Sequence, residues 1–288
     1  MSYLKEVTKR VYRIALALKA RDEITRLTNT NSISQLLANA LRAALENNAT
    51  PEEKIWIARL ESLRKTLISS SREIQIVDYG AGTSDLNLSD EQMYQGRTLT
   101  RTVGAICRSA SKSYFWSFLL FKLIREFHPL ICLELGTSLG VSGGYQASAL
   151  KLNQSGILIT LEGAESLALL AKENFLILGL DNIKIVTGRF RDTLVKVLNK
   201  YKPIDYVFID GHHDERATLT YFEEIKPFLA EKAVLVFDDI AWSQGMKNAW
   251  STVELDESVG LSLDLGAVGI CVRDSRLTKK QNFKIRMI

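Results

Sequence analysis

In this 288-residue sequence the groups best suited to chemistry stand in the second half, each at the end of an apolar run. Asp210 follows the run Ile204 to Ile209, and Asp238 and Asp239 follow Ala233 to Phe237. His212 and His213 come just after Asp210, and the chain has only 3 histidines, the other being His128. Carboxylates can hold a hard cation or accept a proton, and an imidazole titrates near neutrality, so the set suits proton abstraction with or without a metal ion. Two further runs end on Glu134 and Glu162, and Gly136 and Gly140 separate the first of these from a helix expected to begin near Ser142. Glycines let the backbone turn sharply and approach a ligand, while a helix N-terminus favours an anion, either a phosphate or a carboxylate.

The spacing weakens the phosphate readings. A dinucleotide loop needs GxGxxG, but Ser138 and Val141 take its later glycine places, and no GKS or GKT supplies a nucleoside-triphosphate loop. At a strand end, Glu162 can accept hydrogen bonds from both ribose hydroxyls of a nucleoside, and Glu134 suits a cationic group. S-adenosylmethionine carries a ribose, a sulfonium, an ammonium and a carboxylate. Glu134 also suits a helix cap, and so do Asp238 and Asp239.

These residues must be positioned by the runs they end. Leu130 to Leu135, Gly156 to Leu161, Ile183 to Val186, Ile204 to Ile209 and Ala233 to Phe237 alternate with helical stretches, the pattern of buried parallel strands covered on both faces. Leu261 to Leu265 and Val268 to Val272 are too close for a crossover helix and form a hairpin. The expected fold is α/β: a Rossmann-like doubly wound, mainly parallel seven-stranded sheet with an antiparallel C-terminal hairpin and an N-terminal helical extension. Phe283 to Ile288 alternates as a final edge strand.

Upstream, helices are expected over Tyr3 to Arg21, Ser32 to Glu46 and Pro51 to Ile68, the last with Thr50 as N-cap and Pro51 in the first turn. Ile74 to Tyr79 is β-like and leads into a turn at Gly80-Ala81-Gly82-Thr83-Ser84, and another helix spans about Tyr114 to Phe127. Three segments follow: residues 1–72 as a helical cap or homodimerisation segment, 73–112 as a connecting lid, and 113–288 as the catalytic domain.

Composition sets outer limits. A hydrophobic fraction of 46% with 24% charged residues fits an ordinary globular chain. The formal charge of +4 is small, and although Lys5, Lys9, Arg10, Arg13, Lys19, Arg21 and Arg26 cluster early, a nucleic-acid partner is weakly supported. The 3 cysteines, Cys107, Cys132 and Cys271, are far apart and read as incidental thiols. With neither a membrane-length apolar run nor a secretory signal, the expectation is a cytoplasmic protein without a membrane partner.

Four stretches together resemble the class I O-methyltransferases, particularly bacterial members with a divalent-metal site: LELGTSLGVSGGY, TLEG, FIDGHHDE and VFDDIAW. The resemblance covers about Ser113 to Asp274. It implies that Glu134, Gly136, Thr137, Ser138, Gly140 and Ser142 contact the methionine portion of S-adenosylmethionine, that Glu162 with Gly163 holds the ribose, and that Gly188, Arg189 and Phe190 enclose the adenine. It also makes the ends of the fourth and fifth strands neighbours beside the cofactor loop, Asp210 included, so that Asp210, Asp238 and Asp239 hold Mg²⁺ or another divalent cation. Where many metal-dependent relatives carry an acidic residue or Asn, this sequence has His212.

The resulting expectation is Mg²⁺-assisted O-methylation of a small-molecule hydroxyl, with His213, then Asp210 or His212, as base. Metal-free methylation of an amine or carboxylate is the second reading, and a non-catalytic cofactor-binding scaffold the third. Trp242, Met246 and Trp250, at helical spacing, suit either core packing or a wall for an aromatic acceptor.

Overall fold

The computed structural model describes residues 19–28, 30–79 and 95–287. The helix expected over Tyr3 to Arg21 lies outside them up to residue 18, as does the whole Gly80 to Ser84 turn. Helix α1 occupies 19–28, α2 is Ser32–Leu45 and α3 is Pro51–Ser69. The Asn31 side chain caps α2 by accepting from the N–H groups of Ile33 and Ser34. At α3 the Thr50 hydroxyl accepts from the Glu53 N–H while the Glu53 carboxylate accepts from the Thr50 N–H, a reciprocal cap with Pro51 placed where its missing N–H costs nothing.

Next, β1 (Glu73–Asp78) pairs antiparallel with β2 (Arg97–Thr102), and Thr102 then caps α4 (Val103–Ala110). Helix α5 (Tyr114–Phe127) carries the weight of α2 on one side. It is tied to α3 by Glu53, whose carboxylate takes hydrogen bonds from Lys122 and, at 3.1 Å, from Arg125.

The expected parallel strands are β3 (Ile131–Leu135), β4 (Ile157–Glu162), β5 (Ile183–Thr187), β6 (Ile204–Ile209) and β7 (Leu229–Phe237). Helices α6 (Val141–Leu152), α7 (Glu165–Leu178), α8 (Phe190–Tyr201) and α9 (Glu215–Ile225) connect them. After α10 (Gln244–Leu255), β8 (Leu261–Asp264) and β9 (Gly269–Asp274) form the hairpin, with β9 antiparallel to β7. The edge strand, β10, is Gln281–Lys284, two residues earlier than its apolar pattern suggests, because Asn282 pairs with Ser262 through both backbone and side chain. It completes an eight-stranded sheet in the order β10-β8-β9-β7-β6-β3-β4-β5. At the far edge β5 is half exposed rather than fully buried.

Winding runs outward from β3 in both directions, through β4 to β5 and through β6 to β7, so the loops after β3 and β6 diverge and leave a crevice at the carboxyl ends. Among the described residues no helix is long and apolar enough to cross a membrane. All three cysteines are buried and unbridged.

Candidate active site

The loop after β3 is shaped by contact with the loop after β6. Gly136 has φ +105°, and a Cβ there would lie 2.1 Å from the Asp210 carbonyl oxygen, so only glycine fits. Gly140, φ +78°, is the N-cap of α6 and packs against the Phe175 ring. The loop closes on itself more than the spacing implies. The N–H groups of Gly136 and Thr137 both donate to the Leu161 carbonyl, and that of Gly140 donates to Thr137. An anion therefore finds fewer vacant amides here than a bare glycine loop would offer.

The two glutamates divide in role. Glu162 lines the crevice at the end of β4, accepting from the Ser138 N–H at 2.7 Å and the Ala164 N–H at 2.9 Å. Burial pushes its carboxyl up, against the pull of the Ala164, Ser138 and Gly163 amides. With three amides upon it, at least one of its roughly four lone-pair sites remains for a ribose hydroxyl. Glu134 is 0% exposed and lies beneath the crevice, not on it. Its oxygens accept from Ser142 at 2.7 Å, Gln146 at 2.6 Å and Thr160 at 2.6 Å. The cationic contact expected of Glu134 is thus replaced by three neutral donors, and it caps no helix backbone. Ser142 does line the crevice and connects it to this network.

The acidic cluster assembles in part, with His213 where Asp239 was expected and with an addition. Asp210, Asp238 and His213 offer ligand atoms within 4.8 Å of one another. His213 stands between carboxylates, its Nε2 3.7 Å from Asp210 and its Nδ1 3.8 Å from Asp239. Neither aspartate of the pair at 238 and 239 caps α10, whose first turn is held by Ser243. His212 turns away: its Nδ1 meets the Tyr221 hydroxyl at 2.9 Å, its ring lies against Phe190, and burial lowers its pKa. His212, His213 and Asp239 all hold positive φ, at 67°, 50° and 52°. Such backbone is costly for residues with side chains and persists where surrounding structure enforces it.

The addition is Lys112, from the short link between α4 and α5. Its ammonium hydrogen-bonds Asp238 and lies 3.8 Å from Asp210. Burial opposes its charge, but Asp210, Asp238 and Asp239 together raise its pKa above the usual lysine value. Burial likewise pushes the Asp210 carboxyl up, with Lys112 pulling it back, and pushes Asp238 further up with help from the Asp210 charge. In number and type the carboxylates suit a divalent ion. The Lys112 ammonium nevertheless already lies against this pair, on Asp238 and 3.8 Å from Asp210, so a divalent ion would meet a resident positive charge. No periodicity or motif marks Lys112 in the sequence.

Around these groups runs a crevice of about 500 Å³, within the range typical of small-molecule sites. Of the expected residues, Gly136, Thr137, Ser138, Ser142, Glu162, Gly163, Arg189, Phe190, Asp210, His212, His213 and Asp239 line it, whereas the buried Glu134, Gly140 and Asp238 and the half-buried Gly188 do not. Trp242 lines it too, ahead of α10, while Met246 and Trp250 are buried in the core, so the stripe splits between both readings. The other wall comes from the segment read as a lid, through residues not singled out beforehand: Ile76 to Tyr79, Arg101, Ile106 and Ser109 to Lys112. The Ser138 hydroxyl is buried without a hydrogen-bond partner, a polar atom awaiting a ligand.

Residues 133–240 match the family model of a methyltransferase domain. No curated protein matches the chain. Among solved structures, the O-methyltransferase of Bacillus cereus in complex with S-adenosylhomocysteine (SAH) is 24% identical, with a TM-score of 0.51, over 58% of this chain and 84% of that one. TomG, the O-methyltransferase of Streptomyces achromogenes involved in tomaymycin synthesis, solved with S-adenosylmethionine, is 22% identical with a TM-score of 0.51 over 58% of this chain and 82% of its own. An SAH-bound methyltransferase of Podospora anserina shares the same fold at 16% identity and a TM-score of 0.51, over 58% and 80%.

Proposed function

We propose that the S-adenosylmethionine-dependent methyltransferase domain which this chain carries over residues 133–240 methylates a hydroxyl group of a small molecule, with His213 as the base. One observation carries this reading: a single crevice joins Ser138 and Glu162 at one side to Asp210 and His213 at the other.

When bound, S-adenosylmethionine supplies a methyl group made electrophilic by its sulfonium. Glu162 holds the ribose through a spare lone-pair site, and Ser138 and Ser142 offer hydroxyls to the amino-acid end. Phe190 and Arg189, opening α8, supply the flat wall expected for a purine. His213 takes the acceptor's proton, and Asp210 beside its Nε2 stabilises the imidazolium that results. The acceptor oxygen bonds to the methyl carbon as the carbon–sulfur bond breaks, leaving SAH. Trp242, whose ring lies against His213, gives the acceptor side an aromatic wall.

The segment 73–112 supports its reading as a lid, since β1 and the stretch from Ser109 to Lys112 form one wall of the same crevice. The expected magnesium would have to displace the Lys112 ammonium from Asp238.

The test has two parts. Calorimetry with SAH measures cofactor binding, and mass spectrometry of phenol, amine and carboxylate acceptors identifies the product. O-methylated product is expected, and His213→Ala should lower kcat by about 10²- to 10⁴-fold with SAH affinity retained. Products methylated only on nitrogen or carboxylate, or turnover indifferent to His213, would overturn the assignment.

A further inference from the structure

We propose that Lys112 is the resident cation of this site: its ammonium, not a divalent metal ion, neutralises Asp210 and Asp238, and it steadies the acceptor oxygen as that oxygen loses its proton. The second role rests on the methyltransferase reading; the first does not.

Position is the first argument. The ammonium hydrogen-bonds Asp238 and lies 3.8 Å from Asp210, so it already sets a positive charge against both carboxyls. A divalent ion added there would meet a like charge at contact distance. It would also need room for the waters that magnesium retains, and the Asp238 side chain is only 2% exposed.

Anchorage is the second. Here the buried Arg64 of α3 donates through Nη1 to the Lys112 carbonyl at 2.5 Å and through Nη2 to Ser117 at 3.1 Å. Ser117 in turn donates to the same carbonyl at 3.3 Å. Arg64 is itself held by Glu61 at 2.8 Å, and Glu61 accepts from the Tyr145 hydroxyl of α6 at 2.7 Å. Three helices thus fix the backbone from which the lysine reaches in.

Valence is the third. An ammonium has three donors. Asp238 takes one and Asp210 lies toward a second, leaving one for the crevice that Lys112 lines. A fixed positive donor beside His213 stabilises a developing oxyanion without reorganisation.

Titration of the purified wild-type protein with Mn²⁺ alone, followed by electron paramagnetic resonance, tests the cation without needing an acceptor, so it decides this point even if hydroxyl methylation proves wrong. No stoichiometric site is expected, and turnover should be unchanged in excess EDTA. One bound Mn²⁺ that disappears in Asp238→Asn would overturn the proposal. For the second role, Lys112→Met should lower kcat at least about tenfold with SAH affinity unchanged, and Lys112→Arg, which keeps the charge, should recover part of it. Unchanged kcat in Lys112→Met would remove that role.

Discussion

Glu134 is a carboxyl group held among neutral partners. Burial raises its pKa to about 7, against the hydrogen bonds from Thr160, Ser142 and Gln146 that favour the ionised form. The unfolded chain ionises this group near 4.5, so between there and about 7 the folded protein keeps a proton that the unfolded chain releases. Stability from this group therefore falls as pH rises through that window and is level above it. Glu134→Gln removes the titration and keeps acceptors and donors for the same hydroxyls. Its stability relative to wild type should rise by on the order of 3 kcal/mol across the window, measured by urea unfolding at a series of pH values. A flat difference would refute the assignment. At this scale the sequence shows which residues are chemical but not which way they face. Asp210 and His213 stand at strand-end positions that foretell the crevice, whereas Glu134 and Asp238, at equally suggestive positions, are buried and do not line it. Lys112 escapes notice because its partners, Arg64 and Asp238, are 48 and 126 residues away along the chain.

Elements were more legible than residues. The strands β3, β4, β6 and β7 are read from continuous apolar runs, and α3 from a cap whose every member is local. β2 is not, because its sequence RTLTRT has one apolar residue and becomes a strand only through pairing with β1. α4 follows from it through the Thr102 cap. The helical extension has its own energetic centre at Arg64, only 9% exposed. Arg64→Met leaves the Lys112 carbonyl short of its charged donor and should cost about 3 kcal/mol in denaturant unfolding. It should also lower kcat while sparing SAH affinity, because the side chain acts on the site only through the backbone of Lys112. Equal losses in binding and turnover would mean that the extension supports the whole domain and has no selective hold on the lysine.

For the whole molecule, the two walls of the crevice come from parts of the chain that could be mistaken for separate units. The glycine loop and Glu162 belong to the sheet, whereas Ile76 to Tyr79 and Ser109 to Lys112 belong to the segment before it. A ligand seated between them should therefore order both. With SAH at about 100 times its Kd, global stability should rise by about 2.7 kcal/mol. Amide hydrogen exchange should slow at 73–79 and 109–112 as well as at 136–142. Protection confined to the glycine loop would place the ligand on the sheet side alone and would argue against segment 73–112 as part of the site.

Two consecutive histidines in left-handed backbone, with Asp239 beside His213 in the same conformation, have a consequence for how this protein can change. Each position would hold its backbone more comfortably with glycine, by on the order of 1 kcal/mol. His213 and Asp239 lie where such a replacement would also remove a group lining the crevice. Heat resistance and turnover therefore pull these codons in opposite directions, and a lineage selected only for robustness would lose its chemistry first at these turns.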